Sequence, residues 1–474
     1  MKEHATKVLG LALGLDRFPE TKSIRRKLLK LSEPGNGIKM MRALAKRRLQ
    51  KKADLIGFLY IDGNVREYHG KNSVAKGYKP QRRLAVPATT DNWVNDKNGD
   101  PIFMVTGEIN QGLVSMLPKI VKEILETFKP RSKLTVIFDR GGWSPRLFAE
   151  LSEYCYILTY RKGKTEKFPK DYFTEEKEEI EGNLVKYNLY ENNVWFDYKN
   201  SDKTKDSILM RQVTRLKDEK QTQVLTTRTG LSNVEVLYWM FNRWRQENFF
   251  KYMKEHFAID KLSEYGTEEL SDELTRPNPK RKKLEKSMKP LRNKISKNES
   301  KLVQLTEKIK ELEKKQPEKE KAHNKKIKRL ETRLKDTQNK LQEQRDELLD
   351  IKAERDKLLE RVKCNDELKK LKTERKMITD CIKMTAYNIE TEMYGLLRSY
   401  YKYHEKDGRK LIVSALNSTG DIEVVGNELR VTLDHLSTPQ WTKAVADIIN
   451  ELNETQCIFP GTNMKLKFSF KKHE

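Results

Sequence analysis

Three acidic residues are spaced so that their side chains could share divalent cations. Asp62 ends the apolar run IGFLYID, Asp139 ends KLTVIFD, and Glu247 lies in the basic, aromatic segment FNRWRQENFFKYMK. Two carboxylates at the ends of neighbouring strands, facing a third from a later helix, can bind two Mg²⁺ or Mn²⁺ ions that act on a phosphodiester. We therefore predict that these three residues are catalytic and are the metal ligands.

The charge of the chain favours a polyanionic partner. Its 474 residues include 96 Lys and Arg against 70 Asp and Glu, a formal net charge of +26. Binding to a polyanion releases condensed counterions, so nucleic acid is the expected partner and an anionic membrane surface is the alternative. The apolar run at residues 8–15 is half the length of a membrane span and no small-residue cleavage site follows it, which predicts a cytoplasmic protein without a membrane partner.

The cysteines indicate neither a disulfide framework nor a thiolate metal site, because they are widely scattered. They are Cys155, Cys364, Cys381 and Cys457. We expect reduced thiols without a chemical role.

The elements that must position the three acids follow a β-rich order. Residues 1–50 are predicted to form a basic helical segment, and residues 51–265 a catalytic domain. Within the latter the predicted order is βββαβαβ, in the runs IGFLYID, VREYHG, PIFMVTGEI, Leu113–Phe128, KLTVIFD, 145–154 and CYILTYR. This order is typical of a ribonuclease-H-like (RNase H-like) α/β mixed sheet, in which the first and fourth strands lie side by side.

A β-rich insertion at 164–230 is predicted to separate Glu247 from the two aspartates. It contains two expected hairpins: LVKYNLY with NVWFDY about Asn192 and Asn193, and SILMRQVTRL with TQVLTTR about residues 217–220. A helix over 233–256 then completes the core.

The third carboxylate has a rival in Glu175, at a shorter spacing from the second aspartate. Glu175 lies in FTEEKEEIEG, a charge run typical of a solvated face, whereas Glu247 shares its helix with several basic residues. On that helix, Glu247 shares one face with Arg243, Lys251 and Lys254 at spacings of three and four, and the aromatic residues are expected to pack in the core. The predicted DNA-binding residues are Arg140, Arg243, Arg245, Lys251 and Lys254.

Residues 266–380 are predicted to form a charged coiled-coil hairpin. Apolar heptads run from Leu284 to Leu312 and again from Ile327 to Val362, with Pro317 between them. An antiparallel hairpin is the preferred interpretation, and an intermolecular coiled coil that makes a homodimer is the alternative. Asn298 within the apolar seam could fix its register.

Residues 381–474 are predicted to form a small α+β unit without a catalytic constellation. We expect helices over 384–403 and 440–452, and strands in the runs KLIVSAL, DIEVVG, ELRVTLD and KLKFSF, with a turn at Gly426 and Asn427.

The motif Arg243-x3-Glu247-x6-Lys254 resembles the signature helix of bacterial insertion-sequence transposases of the DDE type, which also carry a β-rich insertion before the glutamate. The segments YIDGNVREYHG, RRLAVPATTDNWVND and IFDRGGWSP are similar to stretches in this group, and the resemblance covers roughly residues 10–470. It implies that Arg243 and Lys254 hold DNA near the scissile phosphate. Where the family usually has tyrosine, three residues before Arg243, this chain has Met240.

The resemblance implies a DNA transposase that hydrolyses a phosphodiester at element ends and transfers the freed 3′ hydroxyl to target DNA. Double-stranded DNA, as element end and as target, is the implied partner. Family members tend to have an N-terminal recognition domain, whereas this chain begins close to the catalytic core, which implies a shortened form. Two alternatives stay open: a DNA nuclease without strand transfer, and a catalytically inactive DNA-binding or scaffold protein.

Overall fold

The described part of the chain forms two compact units in a computed structural model. It comprises residues 19–51, 57–79, 83–107, 111–163, 165, 167–200, 202, 204–269, 275–313, 320–363, 368–402 and 405–472. One unit contains the chain up to Glu268 and again from Lys369, and the other contains residues 269–368. Residues 8–15, Pro317 and Cys364, which the sequence predictions used, lie outside the described residues.

Ten strands of the described chain form one mixed sheet in the first unit. They are β1 (Phe58–Glu67), β2 (Lys76–Lys79), β3 (Leu84–Asn95), β4 (Pro101–Gly107), β5 (Thr135–Phe138), β6 (Tyr156–Tyr160), β7 (Thr174–Ile180), β8 (Asn183–Lys199), β9 (Lys205–Lys217) and β10 (Lys220–Thr226). Their order across the sheet is β2-β3-β1-β5-β6-β10-β9-β8-β7, and β4 also pairs with β3. The β1–β5 and β5–β6 pairs are parallel and the other pairs are antiparallel.

Helices cover the sheet of the first unit. In chain order they are α1 (Thr21–Leu31), α2 (Asn36–Lys51), α3 (Leu113–Phe128), α4 (Pro145–Ser152), α5 (Asn233–Phe241) and α6 (Trp244–Phe257). Leu59 and Ile61 of β1 lie in one hydrophobic cluster with residues of α3, and Tyr60 between them lies in a second cluster with residues of α5. Alternate residues of a strand point to opposite faces, so both faces of the sheet are buried here.

Strand β1 is longer than predicted. The predicted strand end at Asp62 and the separate strand VREYHG are wrong, because β1 continues to Glu67 and pairs antiparallel with β3 throughout. Its partner β3 contains Pro, Asp and Asn residues, which are weak strand formers in isolation. Four strands, rather than three, therefore precede α3 in the described chain.

One of the two turns predicted in the insertion is wrong. Asn192 and Asn193 lie inside the 17-residue strand β8, where the Asn192 side chain accepts a hydrogen bond from Gln212 at 2.9 Å. The turn that closes the β7–β8 hairpin instead lies at Glu181 and Gly182, with φ of 52° and 74°. The predicted turn at 217–220 is confirmed, since Lys217 pairs with Lys220 across two residues with positive φ.

The single helix predicted over 233–256 is two helices. Helix α5 begins with a capping box between Ser232 and Glu235, and it ends at Phe241. Asn242 and Arg243 separate it from α6. The break places Arg243 at the start of a new helix that extends over the sheet.

The second unit is built around two long helices, α7 (Pro279–Glu313) and α8 (Glu320–Asp356). They run antiparallel: Arg281 near the start of α7 donates to the Leu358 carbonyl just after α8 at 3.0 Å, whereas Asn298, further along α7, donates to Gln344, earlier in α8, at 3.0 Å. A buried cluster of Leu291, Ile295 and Leu341 lies between them. At their bases the short strands β12 (Thr275–Pro277) and β13 (Arg361–Lys363) pair, while β11 (Thr267–Glu268) and β14 (Lys370–Leu371) pair in the first unit.

The C-terminal part of the first unit adds three helices and three strands of the described chain. They are α9 (Glu374–Leu397), α10 (Glu405–Leu416), β15 (Gly420–Val425), β16 (Glu428–Leu433), α11 (Pro439–Glu454) and β17 (Lys465–Phe470). The predicted boundary at residue 380 lies inside α9. The predicted strand KLIVSAL is wrong: it belongs to α10, whose Leu411 and Ile412 are buried against the neighbouring helices. The turn at Gly426 and Asn427 is confirmed.

Helix α9 is held to the sheet by buried charges. Arg66 of β1 and Asp91 of β3 pair at 2.7 Å, and Lys376 of α9 contacts Asp91 at 2.6 Å. Asp380, one turn further along α9, pairs with Arg66 at 2.9 Å. All four side chains are at most 2% exposed, so each charge depends on the others for its stabilisation.

The cysteines that the structure describes are free thiols. Cys155 and Cys381 are buried, which raises the pKa of each to about 12, and Cys457 is exposed. Of the helices described, none combines the length and the apolar composition that crossing a membrane requires.

Candidate active site

The two predicted aspartates are neighbours because β1 and β5 pair in parallel. Ile61 of β1 stands opposite Phe138 of β5 in the register of this pair. Asp62 and Asp139 are the next residues of the two segments, so they lie side by side where the parallel pairing ends. Asp62 is within a longer strand, whereas Asp139 follows the end of β5. This edge is where sheets with parallel strands commonly carry functional groups.

Asp139 is held by the tight turn that follows it. One of its carboxylate oxygens accepts the backbone N–H of Gly141 at 2.7 Å and caps the single 3₁₀ turn Arg140–Gly142. Gly142 must lack a side chain, since a Cβ there would lie 2.5 Å from the Phe138 ring and 2.8 Å from Leu117. The turn therefore orients the Asp139 carboxylate toward the edge of the sheet.

Helix α6 brings Glu247 to the same edge through the buried residue that precedes it. The amide of Gln246 donates to the carbonyl oxygens of Tyr60 and Trp93, both at 3.2 Å, and to the Asn95 side chain at 2.9 Å. These acceptors belong to β1 and β3, so Gln246 fixes the first turn of α6 against the strand that carries Asp62.

Arg243 links two of the three acids. One nitrogen of its guanidinium lies 3.3 Å from Asp62, and another contacts Glu247 one helical turn away. Its side chain is 18% exposed, against 28% for Asp62 and 57% for Glu247. The Arg243 guanidinium thus bridges the half-buried carboxylate of Asp62 and the exposed carboxylate of Glu247.

The electrostatics of Asp62 reflect this crowding. Burial, and to a smaller extent the nearby carboxylates of Asp139 and Glu247, raise its pKa from the ordinary 3.8 to about 6. The Arg243 guanidinium and the backbone N–H of Gly63 act in the opposite direction, because both stabilise the ionised form. The Asp62 carboxylate therefore lies within the electrostatic range of both other acids.

A cleft of about 1300 Å³ opens at the three acids. It is also lined by Lys254 of α6, two helical turns after Glu247, and by Asp260, which follows that helix. The cleft continues past small residues of the sheet toward Lys76. It is large enough to hold part of a polymeric substrate.

The other predicted DNA-binding residues have different surroundings. Arg140 is exposed and its guanidinium lies 5.7 Å from the centre of the Tyr160 ring. Lys251 is exposed one turn after Glu247. Arg245 does not join the acids: its guanidinium binds the Lys97 carbonyl, the Glu181 carboxylate and the Tyr238 hydroxyl.

Glu175, the rival third carboxylate, is far from the site. It lies exposed in β7, the fifth strand away from β5 in the sheet. At the usual spacing between strands this is about 24 Å. The structure brings Glu247, and not Glu175, to the aspartates.

The donor atoms of the site suit a hard divalent cation, since Asp62, Asp139 and Glu247 offer only carboxylate oxygens. Among the described residues, however, no group of three or more His, Cys, Asp or Glu side chains is arranged to hold a metal ion. The Arg243 guanidinium lies between Asp62 and Glu247 instead. The donor atoms suit a divalent cation. Asp62 and Glu247 can share such a cation only after Arg243 has released both carboxylates.

Two residues of this region have no recognisable signal in the sequence. Gln246 is adjacent to Glu247, but a glutamine in a charged helix gives no signal of burial. Asp260 follows the helix in an ordinary loop sequence, and only the folded chain brings it to the cleft.

Comparison with known proteins supplies the family. A family model described as "Transposase protein" matches residues 2–471 of the chain. No curated protein and no solved structure gives a significant match. Because the family match covers nearly the whole chain, including all three acids, the chain belongs to this family of transposase proteins.

Proposed function

We propose that this protein is a DDE-type DNA transposase whose metal ligands are Asp62, Asp139 and Glu247. The observation that carries the proposal is the parallel β1–β5 pairing, which sets the two aspartates side by side, with Glu247 joined to Asp62 through Arg243. Membership of the transposase family supports a DNA-processing enzyme. The reaction proposed is phosphodiester hydrolysis at element ends, followed by transfer of the freed 3′ hydroxyl to target DNA.

The topology supports an RNase H-like core. The strand order β4-β3-β1-β5-β6, with antiparallel pairs among the first three strands and parallel pairs between the last three, is the order expected of that fold. The strands β7 to β10 then form the proposed β-rich insertion between this core and α6.

The proposed cofactor is a pair of Mg²⁺ or Mn²⁺ ions. When bound, they supply Lewis-acid activation of the attacking oxygen and stabilisation of the leaving oxygen. The three carboxylates would hold them, and Gln246 keeps Glu247 in place through its hydrogen bonds to β1 and β3. Ionised carboxylates are needed for this role, so cation binding opposes the raised pKa of Asp62.

Arg243 has a second role in this proposal. A guanidinium that bridges two carboxylates can equally bind a phosphate through two parallel hydrogen bonds. A bound DNA backbone would thus compete for Arg243, which would pair with the phosphate next to the scissile one and leave Asp62 and Glu247 free to hold the cations. Lys254, on the wall of the same cleft, contacts an adjacent phosphate.

The proposed setting is the cytoplasm, with double-stranded DNA as the partner. For the second unit we propose a coiled-coil arm. The Asn298–Gln344 hydrogen bond and the apolar contacts of α7 with α8 support pairing within one chain, and a homodimer formed through this arm is the competing arrangement.

The chemistry is tested with labelled DNA taken from both sides of the coding region, incubated with Mg²⁺ or Mn²⁺ and a target plasmid. Wild-type protein is compared with Asp62→Asn, Asp139→Asn and Glu247→Gln, and Glu175→Gln is the matched control. We expect strand cleavage and joined product from wild type and Glu175→Gln. The other three should lose at least about a hundredfold in rate, because each removes a ligand charge.

The alternatives give different results. Metal-dependent cleavage without joined product, even from a substrate with a free 3′ hydroxyl, would indicate a nuclease. DNA binding with no cleavage by any of the proteins would indicate an inactive DNA-binding or scaffold protein. Equal cleavage by all five proteins would show that the acidic residues are wrongly assigned.

A further inference from the structure

Helix α7 has a strongly uneven charge distribution. Its first half, residues 279–297, contains nine Lys and Arg against one acidic residue, whereas its second half, residues 298–313, contains three against four. Both halves pair with α8 through the same apolar seam. Packing within the hairpin therefore does not explain why one half is so basic.

Most of these cations are exposed. Lys282, Lys286, Lys289 and Lys297 follow one another at spacings of four, three and eight residues, which places them along one side of the helix. That stripe is about 22 Å long at 1.5 Å per residue. Within the described residues, no acidic partner lies within ion-pairing distance of these four lysines, whereas Arg281 pairs with Glu285 and with Glu360.

The basic half of α7 is costly for the helix by itself. Lys282 and Lys286 are four residues apart, and Lys286 and Lys289 are three apart, so each pair brings like charges together on one face. Alternating charges, as in the second half of the same helix, would stabilise it instead. A polyanion bound along the stripe would convert this repulsion into favourable contacts.

We infer that the first half of α7 is a DNA-binding surface that contacts the phosphate backbone of duplex DNA independently of sequence. The inference rests on the proposed function for the identity of the polyanion, and it adds a contact site outside the catalytic unit. Exposed lysines on flexible stems suit it, because they follow the backbone as point charges without reading bases. The surface therefore contributes affinity rather than sequence specificity.

The test is the salt dependence of DNA binding. Full-length protein is titrated against a short fluorescent duplex of random sequence in EDTA, so that catalysis has no part in the readout. The variant Lys282→Gln/Lys286→Gln/Lys289→Gln is compared with Lys301→Gln/Lys308→Gln/Lys310→Gln, which removes the same charge from the balanced half of α7. Glutamine keeps the helix propensity of lysine.

We expect the slope of log affinity against log salt concentration to become shallower by about 2–3 for the first triple variant and to stay near the wild-type value for the second. The variant Lys282→Arg/Lys286→Arg/Lys289→Arg should keep the wild-type slope. Circular dichroism checks that the helices persist. Should the triple glutamine variant fail to fold, Lys286→Gln/Lys289→Gln replaces it, with Lys308→Gln/Lys310→Gln as its control and an expected decrease in the slope of about 2 for the first variant alone.

Equal slopes for the two glutamine variants would overturn the inference. So would a loss of binding to anionic vesicles in the first variant with DNA binding unchanged, because the partner would then be a membrane surface. The outcome is independent of the catalytic proposal: an Asp139→Asn protein that no longer cleaves DNA should keep the wild-type slope, since its α7 is intact.

Discussion

A half-buried carboxylate beside two others binds its proton more tightly than a free one, and Asp62 is in this situation. The partly exposed Glu247 and the turn-bound Asp139 lie within its electrostatic range, while only Arg243 gives it an ion pair. The site thus stores unfavourable electrostatic energy whenever Asp62 is ionised. Binding sites for divalent cations characteristically concentrate negative charge in this way.

The pH dependence of stability should reveal this cost. The pKa of Asp62 in the folded chain, about 6, exceeds its ordinary value of 3.8, so the folded state binds the proton more tightly than the unfolded state. Raising the pH from about 4 to about 6 should therefore lower the free energy of unfolding of wild type relative to Asp62→Asn by about 1–2 kcal/mol. Urea unfolding of both proteins in EDTA buffers measures this difference. A difference that is constant with pH, or that grows in favour of wild type, would contradict the assignment.

At the scale of elements, α9 completes the first unit although it follows the long hairpin in sequence. Its Cys381, Met384 and Tyr387 enter the main hydrophobic cluster, and its Lys376 and Asp380 enter the buried ionic network with β1 and β3. The strand that carries Asp62 is thereby fixed at its far end by a helix from the C-terminal part of the chain.

Breaking this network should destabilise the protein strongly. In Lys376→Met the side chain keeps its length, but Asp91 loses an ion pair 2.6 Å long and the buried cluster is left with a net negative charge. We expect a loss of about 3–5 kcal/mol in the free energy of unfolding, measured by urea denaturation. Lys410→Met is the control, because Lys410 is exposed on α10 and its change should be within about 0.5 kcal/mol. Similar values for both variants would mean that the buried charges are not coupled.

The elements also show what the sequence could predict. Helix α3 has the predicted bounds, because its apolar residues recur with helical spacing, and the turn at Gly426 follows from the tolerance of glycine for positive φ. The turn at 217–220 follows from the charged residues between two apolar runs. Strand β3 is not predictable from its residues alone, because its pairing with β1 and β4 outweighs the weak strand propensity of its Pro, Asp and Asn residues. The β-branched run of α10 suggested a strand, and its packing against α9 and α11 made it a helix.

The candidate site was predictable to a similar degree. Asp62, Asp139 and Glu247 each stood out by residue type and by the element around it. The positions of Arg245 and Gln246 were not predictable, because three consecutive residues have different surroundings. Arg245 pairs with Glu181, Gln246 donates to buried acceptors, and Glu247 lines the cleft. Which face is which depends on the break at Asn242 and on contacts from distant strands.

At the scale of the whole molecule, the described chain comprises two units, and the second is inserted into the first. Asn278 and Glu360 are joined by a backbone hydrogen bond of 2.9 Å at the base of the two long helices. The helices can therefore be removed at a point where the chain leaves and returns at nearly the same place.

Replacing residues 279–356 by a short Gly-Ser linker should leave the first unit folded and the number of subunits unchanged, since α7 and α8 satisfy each other's apolar seam within one chain. Light scattering coupled to gel filtration compares the oligomeric state of the shortened and full-length proteins, and thermal unfolding checks the first unit. Loss of a dimer on shortening would show that the helices pair between chains instead.

The pairing of β11 with β14 also bears on how the chain folds. Arg66 and Asp380 are 314 residues apart in sequence, and the closure of so long a loop opposes the docking of α9. The contacts between α7 and α8 lie within the second unit, so this unit can form early and bring Glu268 close to Lys370. The hairpin thereby shortens the effective chain length that separates β1 from α9, and its early formation favours the assembly of the strand that carries Asp62.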